Sequence, residues 1–255
     1  MGAFRMVREG VLDNPKVEAV FGQHISAAAP GGTLAYRAGG MMASGDSFSV
    51  TIKGVGGHGA SPWQTRDPIV TAAHAVVALQ SVVSRQADLS QGAAVVTVGQ
   101  IAGGNRTNII PETATFSGTI RTLNEATRTQ VHEGVVRTVE GIAAASGLTA
   151  EVTIRRGTPI LVNDPALTAQ SLGALRRAAG SDRVTEAPAS LATEDFGAYA
   201  QKAKVFYWRL YAPVDDSKTV PNHSPLFMIG EQHLKTGVKA MVNVALDYLG
   251  AGATK

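Results

Sequence analysis

The sequence predicts an α/β protein in which a ferredoxin-like βαββαβ domain is inserted into a second, incomplete α/β region. Three observations predict it. Residues 45–157 show hydrophobic periodicities in the order strand, helix, strand, strand, helix, strand. The flanks, residues 1–44 and 158–255, hold further strands and helices but supply few neighbours for those strands, and do not look like a second complete domain. With 255 residues, 44% hydrophobic and 17% charged, the chain carries enough apolar side chain for a sizeable core.

The elements follow in order. Residues 2–10 read as a short helix and residues 17–22 as a brief strand, before a turn at Pro30-Gly31-Gly32. In SFSVTIKGV (residues 47–55), Phe48, Val50 and Ile52 share one face, the pattern of a half-buried strand. Asp67-Pro68 opens a helix to about residue 85, since Asp caps well and Pro suits the first turn. Residues 93–102 and 114–122 read as strands, the second with Phe116 and Ile120 on one face and Arg121 on the other. A long helix spans residues 124–146, from an Asn cap to Gly147, and a strand follows over residues 148–155. Beyond it come helices over residues 165–179 and 193–200, a strand over 204–211 and a last helix over 231–249.

Composition removes several classes. The net charge is +3, but the basic residues are scattered, with Arg155-Arg156 and Arg176-Arg177 the longest runs, so no nucleic-acid partner is expected. There is no cysteine, which excludes disulfides, thiolate metal sites and a cysteine nucleophile, and fits a cytoplasmic protein. Residues 1–8 carry no apolar run of signal-peptide type. No stretch approaches the ~18 apolar residues of a membrane span, so no membrane partner is expected.

The six histidines differ in context. His74, His132 and His233 fall in predicted helices and read as surface or packing residues. His24 follows a predicted strand, a place where ligands gather in α/β folds, although a strand-end histidine is also simply common. His223 lies between Pro221 and Pro225, which stiffen its loop, and reads equally as a ligand or as part of a turn. His58 is flanked by glycines that let a substrate or backbone approach closely, or that make a flexible hairpin tip. Asn108 closes a loop rich in donors, and Arg121 suits a bidentate clamp on a carboxylate or a plain surface position. Thr193-Glu194-Asp195 fits a helix N-terminus, with Thr193 as cap and acids in the first turn.

Taken together these strings resemble one family. GQH at 22–24 resembles a strand-end GLH, and KGVGGHGASP at 53–62 with Asp67-Pro68 resembles KGKGGHAAxPH followed by DP. GNRTNIIP at 104–111 with GTIR at 118–121 resembles an NVIP string followed by GTxR. TEDF at 193–196 resembles SEDF, and NHSPLF at 222–227 resembles NHSPxF. The family is that of the M20 metallopeptidases, in the branch of hippurate hydrolases, N-acyl amino acid amidohydrolases and auxin-conjugate hydrolases. The resemblance runs over residues 2–249.

The resemblance implies a catalytic α/β domain built from residues 1–44 and 158–255, with two divalent metal ions, zinc or manganese. It implies a lid over residues 45–157 through which the protein forms a homodimer. His24 and His223 each match a ligand of one metal. His58 matches a catalytic histidine that reaches the partner subunit's site and steadies the oxyanion. Asn108 and Arg121 match substrate-binding residues, Arg121 gripping the carboxylate. The implied reaction is hydrolysis of the amide bond of N-acyl amino acids or small peptides by metal-activated water.

Two departures qualify that expectation. The family's first metal histidine and its paired glutamates precede the segment that resembles GAFRM at 2–6, so this chain is expected to be only the C-terminal part of the enzyme. Tyr207-Trp208-Arg209 stands where the family is apolar and then Gly, so the substrate pocket is expected to differ there. The other readings are a non-catalytic dimerising or ligand-binding fragment, and a metal-independent esterase or amidase using His58 or His223. No GxSxG elbow supports the last of these.

Overall fold

The structure is a computed structural model. It describes residues 2–218 and 220–252, with the backbone alone for the last two. Along the chain run α1 (Gly2–Arg8), β1 (Ala19–Ser26), β2 (Leu34–Tyr36), β3 (Gly39–Met42), β4 (Gly45–Lys53) and β5 (Gly57–His58). Next come α2 (Pro68–Ser81), β6 (Ala94–Gly103), β7 (Ile109–Ile110), β8 (Thr113–Thr122), α3 (Glu125–Ala145) and β9 (Thr149–Thr158). The rest comprises β10 (Leu161–Asn163), α4 (Pro165–Ala179), β11 (Val184–Glu186), β12 (Lys204–Tyr211) and α5 (Leu234–Gly252). The chain divides into two compact units. The first holds residues up to Met41, Leu161–Ser190 and those from Glu194 onward, and the second holds Met42–Ile160 with Leu191–Thr193.

The second unit is an antiparallel sheet in the order β6-β8-β4-β9, with α2 and α3 packed on one face. Phe48, Val50 and Ile52 of β4 enter the core with Leu79 of α2 and Val131, Val135 and Val139 of α3. Several of these side chains are wholly buried, each worth ~1.5–3 kcal/mol in transfer free energy. Both helices are capped as their sequences require. Asp67 Oδ1 accepts from the Ile69 amide at 2.8 Å, and Asn124 Oδ1 from the Ala126 amide at 2.8 Å. α2 is shorter than its periodicity predicts: a π-type turn takes over at Val82–Gln86.

Beneath this sheet a buried ionic cluster joins strand to helix. The Asp46 carboxylate accepts from Arg128 Nη2 at 2.6 Å, Arg128 Nε at 2.8 Å and the Gly157 amide at 2.9 Å, and His132 Nε2 lies 2.8 Å away. Burial alone raises the Asp46 pKa, but the bonds to His132, Arg128 and Gly157 outweigh it and hold the carboxyl well below the usual range.

The first unit carries a sheet in the order β1-β12-β2-β11, in which β1 and β12 run parallel. Phe206, Trp208 and Leu210 of β12 pack with Leu167 and Leu175 of α4 and Ala240 and Val244 of α5. The opposite face of β12 therefore presents Tyr207 and Arg209. Gly22 of β1 lies on that face too, where a Cβ would sit 2.6 Å from the Phe196 ring and 3.0 Å from the Tyr207 ring.

Three expectations are corrected here. β1 runs on to Ser26, so His24 is inside the strand and does not follow it. Pairing with β12 along its full length supplies the hydrogen bonds that local sequence does not show. The predicted helix over residues 193–200 is a 3-10 helix (Asp195–Gln201) capped by Glu194, whose Oε1 accepts from the Phe196 amide, not by Thr193. The last helix begins at Leu234, after a 3-10 turn that contains His233. The strands β2, β3, β10 and β11, of three or four residues, are too short for alternation to reveal.

Candidate functional site

In the first unit, β1 and the loop after β12 meet at one backbone carbonyl. Ile25 O accepts from Asn222 Nδ2 at 2.9 Å, and His24 Nδ1 lies 2.6 Å from the same oxygen. Asn222, next to His223 in sequence, thereby ties the His223 loop to the end of β1. A carbonyl oxygen can only accept, so His24 Nδ1 carries the proton and Nε2 keeps its lone pair. This is how second-shell carbonyls orient metal-binding histidines. His24 and His223 are both exposed. His223 has φ of 69°, the one non-glycine residue at positive φ among the described residues. Such backbone strain is held in place by surrounding structure and gathers at functional sites.

Tyr207 stands on the same sheet face. Its hydroxyl donates to Glu194 Oε2 at 2.9 Å. Burial, followed by the charge and hydrogen bond of Glu194, pushes the phenol pKa well above its usual value, while Arg209 acts in the opposite sense. Tyr207 is thus a protonated, fixed donor.

In the second unit, the short pair β5–β7 aligns His58 with Ile109, and the Gly59 amide donates to Asn108 O at 2.8 Å. His58 and Asn108 are therefore neighbours across a two-stranded ribbon. Glycine is required there: a Cβ at Gly56 would lie 2.8 Å from the Ile110 carbonyl oxygen. His58 Nδ1 accepts from the Ala60 amide at 3.1 Å. In the neutral ring the proton is then on Nε2, and exposed His58 offers an N–H outward. The two histidines are set oppositely, His24 as an electron-pair donor and His58 as a hydrogen-bond donor. Neither His58 nor His223 bonds a serine hydroxyl among the described residues, so no Ser–His nucleophile pair is formed.

Arg121 is not brought to His58 and Asn108. It lies near the Asp46↔Ile120 rung of the β4–β8 ladder, and the ribbon adjoins the Lys53↔Thr113 rung at the other end. At the rise of a strand, roughly 3.4 Å per residue, these ends are ~24 Å apart. Arg121 is partly buried, and a Cβ at Gly45 would sit 2.6 Å from its Nη1.

The described residues gather no group of three or more His, Cys, Asp or Glu side chains able to hold a metal ion. Two imidazoles fit part of a divalent-metal donor set, not the whole of one.

The model of the M20 peptidase dimerisation domain matches residues 45–146. The thermostable carboxypeptidase 2 of Saccharolobus solfataricus is 35% identical over 249 residues, covering 97% of this chain and 62% of that protein. The chain belongs to the M20 family of peptidases and amidohydrolases. Another relative, the IAA-amino acid hydrolase ILR1-like 2 of Arabidopsis thaliana, is 35% identical over 258 residues, covering 100% of this chain and 58% of that protein. The crystal structure of a dinuclear metal-binding M20 peptidase from Bacillus subtilis superposes with a TM-score of 0.81 at 29% identity, over 97% of this chain and 61% of that one. The chain spans about three fifths of the length of these relatives. These relatives are named as hydrolytic enzymes, and residues 45–146 of this chain match a peptidase dimerisation domain. No helix among its described residues is long and apolar enough to cross a membrane.

Sequence reasoning missed Asn222, which it assigned to turn chemistry, and the Asp46–Arg128–His132 cluster. Nothing local marks either. Each is defined by a contact across 82 or more positions of the chain.

Proposed function

We propose that this chain is the lid and part of the catalytic domain of a hydrolase that cleaves the amide bond of N-acyl amino acids or small peptides. His24 and His223 would each hold one of two divalent metal ions, zinc or manganese, with the remaining donors from outside the residues described. When bound, such ions supply an activated water and polarise the acyl carbonyl. The observation that supports the reading is the shared Ile25 carbonyl, which ties the loop bearing His223 to the end of β1 and leaves the His24 Nε2 available.

The other residues have roles that follow from their own geometry. His58 presents an Nε2–H suited to a developing oxyanion, and Asn108 lies next to it. Arg121 suits the substrate carboxylate. His58 and Arg121 lie at opposite ends of one sheet, so a single copy of the second unit does not offer both to one small substrate. Two copies would, which is the role proposed for a homodimer. The surface suits that role: β6 is an edge strand, Ile101 on it is 56% exposed, and Val77 on α2 is 73% exposed.

The test is hydrolysis of a panel of N-acyl amino acids and aryl esters by the purified chain, with added zinc or manganese and with chelator. Metal-dependent amide cleavage is expected if the donors present here suffice or are completed by a longer chain supplied alongside. Chelator-resistant ester cleavage that survives both conditions would overturn the metal reading.

A further inference from the structure

Arg209 occupies an unusual position. It lies in β12, the second strand of a four-stranded sheet, with neighbours on both sides: His24 in β1 and Ala35 in β2. Paired residues of adjacent strands project to the same face, so Arg209 and His24 stand side by side on the face that Tyr207 and Gly22 share. Arg209 is partly buried. Among the described residues its side chain makes no hydrogen bond and no ion pair, and it acts electrostatically on Tyr207. Glu194, the other charged group that acts on Tyr207, is already engaged by the Tyr207 hydroxyl and the Phe196 amide. A guanidinium carries five donors in a rigid fork matched to a carboxylate, and leaving it partly desolvated and unpaired is unfavourable unless an anion completes it.

We infer that Arg209 is an anion-recognition residue of the His24–His223 site and selects substrates whose acyl part carries a second carboxylate, as in N-succinyl amino acids. The inference rests on the hydrolase reading above, in which Arg121 is assigned the carboxylate of the amino-acid part. On that reading the amino-acid carboxylate is already taken, and the anion left for Arg209 is one on the acyl part. The Arg209 fork forms two charge-assisted hydrogen bonds to the acyl carboxylate and fixes the acyl chain relative to His24.

The experiment compares two ligands that differ only at that end, N-succinylglycine and N-butyrylglycine. Their binding to the purified chain is measured by titration calorimetry with chelator, so that nothing turns over, and again with Mn2+. The expected result is that N-succinylglycine binds at least about tenfold more tightly. Arg209→Met should abolish the preference, and Arg209→Lys should retain part of it. Equal affinities in the unmodified protein, a preference that survives Arg209→Met, or binding of neither ligand overturns the inference. The ligand comparison in the unmodified protein does not depend on any variant folding. An Arg209-dependent preference without hydrolysis by the metal-loaded protein would remove the hydrolase reading and keep the anion site. Metal-dependent hydrolysis of both ligands at equal efficiency would do the reverse.

Discussion

Asn222 and His24 share one acceptor, the carbonyl oxygen of Ile25, at 2.9 and 2.6 Å. The first bond holds the loop that bears His223, and the second sets the His24 ring so that Nε2 faces away from the backbone. Replacing Asn222 by Ala should release the loop without touching either histidine. Affinity for zinc or manganese should fall by ~10–100-fold, the usual effect of losing an outer-shell partner. Calorimetric metal titration checks it, and unchanged affinity would mean that the loop is held by other contacts.

His58→Ala should leave metal affinity and thermal stability nearly unchanged, because the side chain is exposed. It should lower kcat by ~10²–10³, the cost of removing one oxyanion donor. Steady-state kinetics with an N-acyl amino acid separates this from a binding role, in which KM would rise and kcat would not move.

Arg121→Met should reduce kcat/KM for substrates with a free carboxylate by roughly 10–100-fold, the worth of a charge-assisted hydrogen-bonded pair. The corresponding amides should be affected little. Gly45→Ala should act in the same direction, since its new methyl would fall 2.6 Å from Arg121 Nη1. Equal losses for acid and amide substrates would count against a carboxylate contact.

Arg128→Met strands the Asp46 carboxylate in the core and should destabilise the second unit by ~3–5 kcal/mol in urea denaturation. The pH dependence has a definite sign. The Asp46 pKa is lower folded than unfolded, so its contribution is fully present above the unfolded value, ~3.9, and is lost as pH falls below it. Asp46→Asn should therefore flatten the stability profile below about pH 5. A profile as steep as that of the unmodified protein would place acid sensitivity elsewhere.

Val77→Glu combined with Ile101→Lys puts charge on the exposed apolar positions of α2 and β6. Light scattering after size exclusion should show the mass falling from dimer to monomer. A dimer that persists would move the interface to another face of the second unit.

The alternation of Phe48, Val50 and Ile52, the Asp67-Pro68 cap and the Asn124 cap were legible because they are local: side-chain period and backbone capping act over a few residues. They were enough to read the βαββαβ order, and the glycine-flanked His58 and the proline-framed His223 were enough to mark them as candidates. Tertiary structure decided the rest. It put His24 inside a strand, because the hydrogen bonds that extend β1 come from β12, some 185 positions away. It tied the His223 loop to the end of β1 through Asn222, separated Arg121 from His58 by the length of a strand ladder, and left the Arg209 side chain unpaired among the described residues, beside His24. None of these can be read from spacing along the chain, because each depends on which strands become neighbours and in what register. That is settled only when the apolar faces of sheet and helix bury one another.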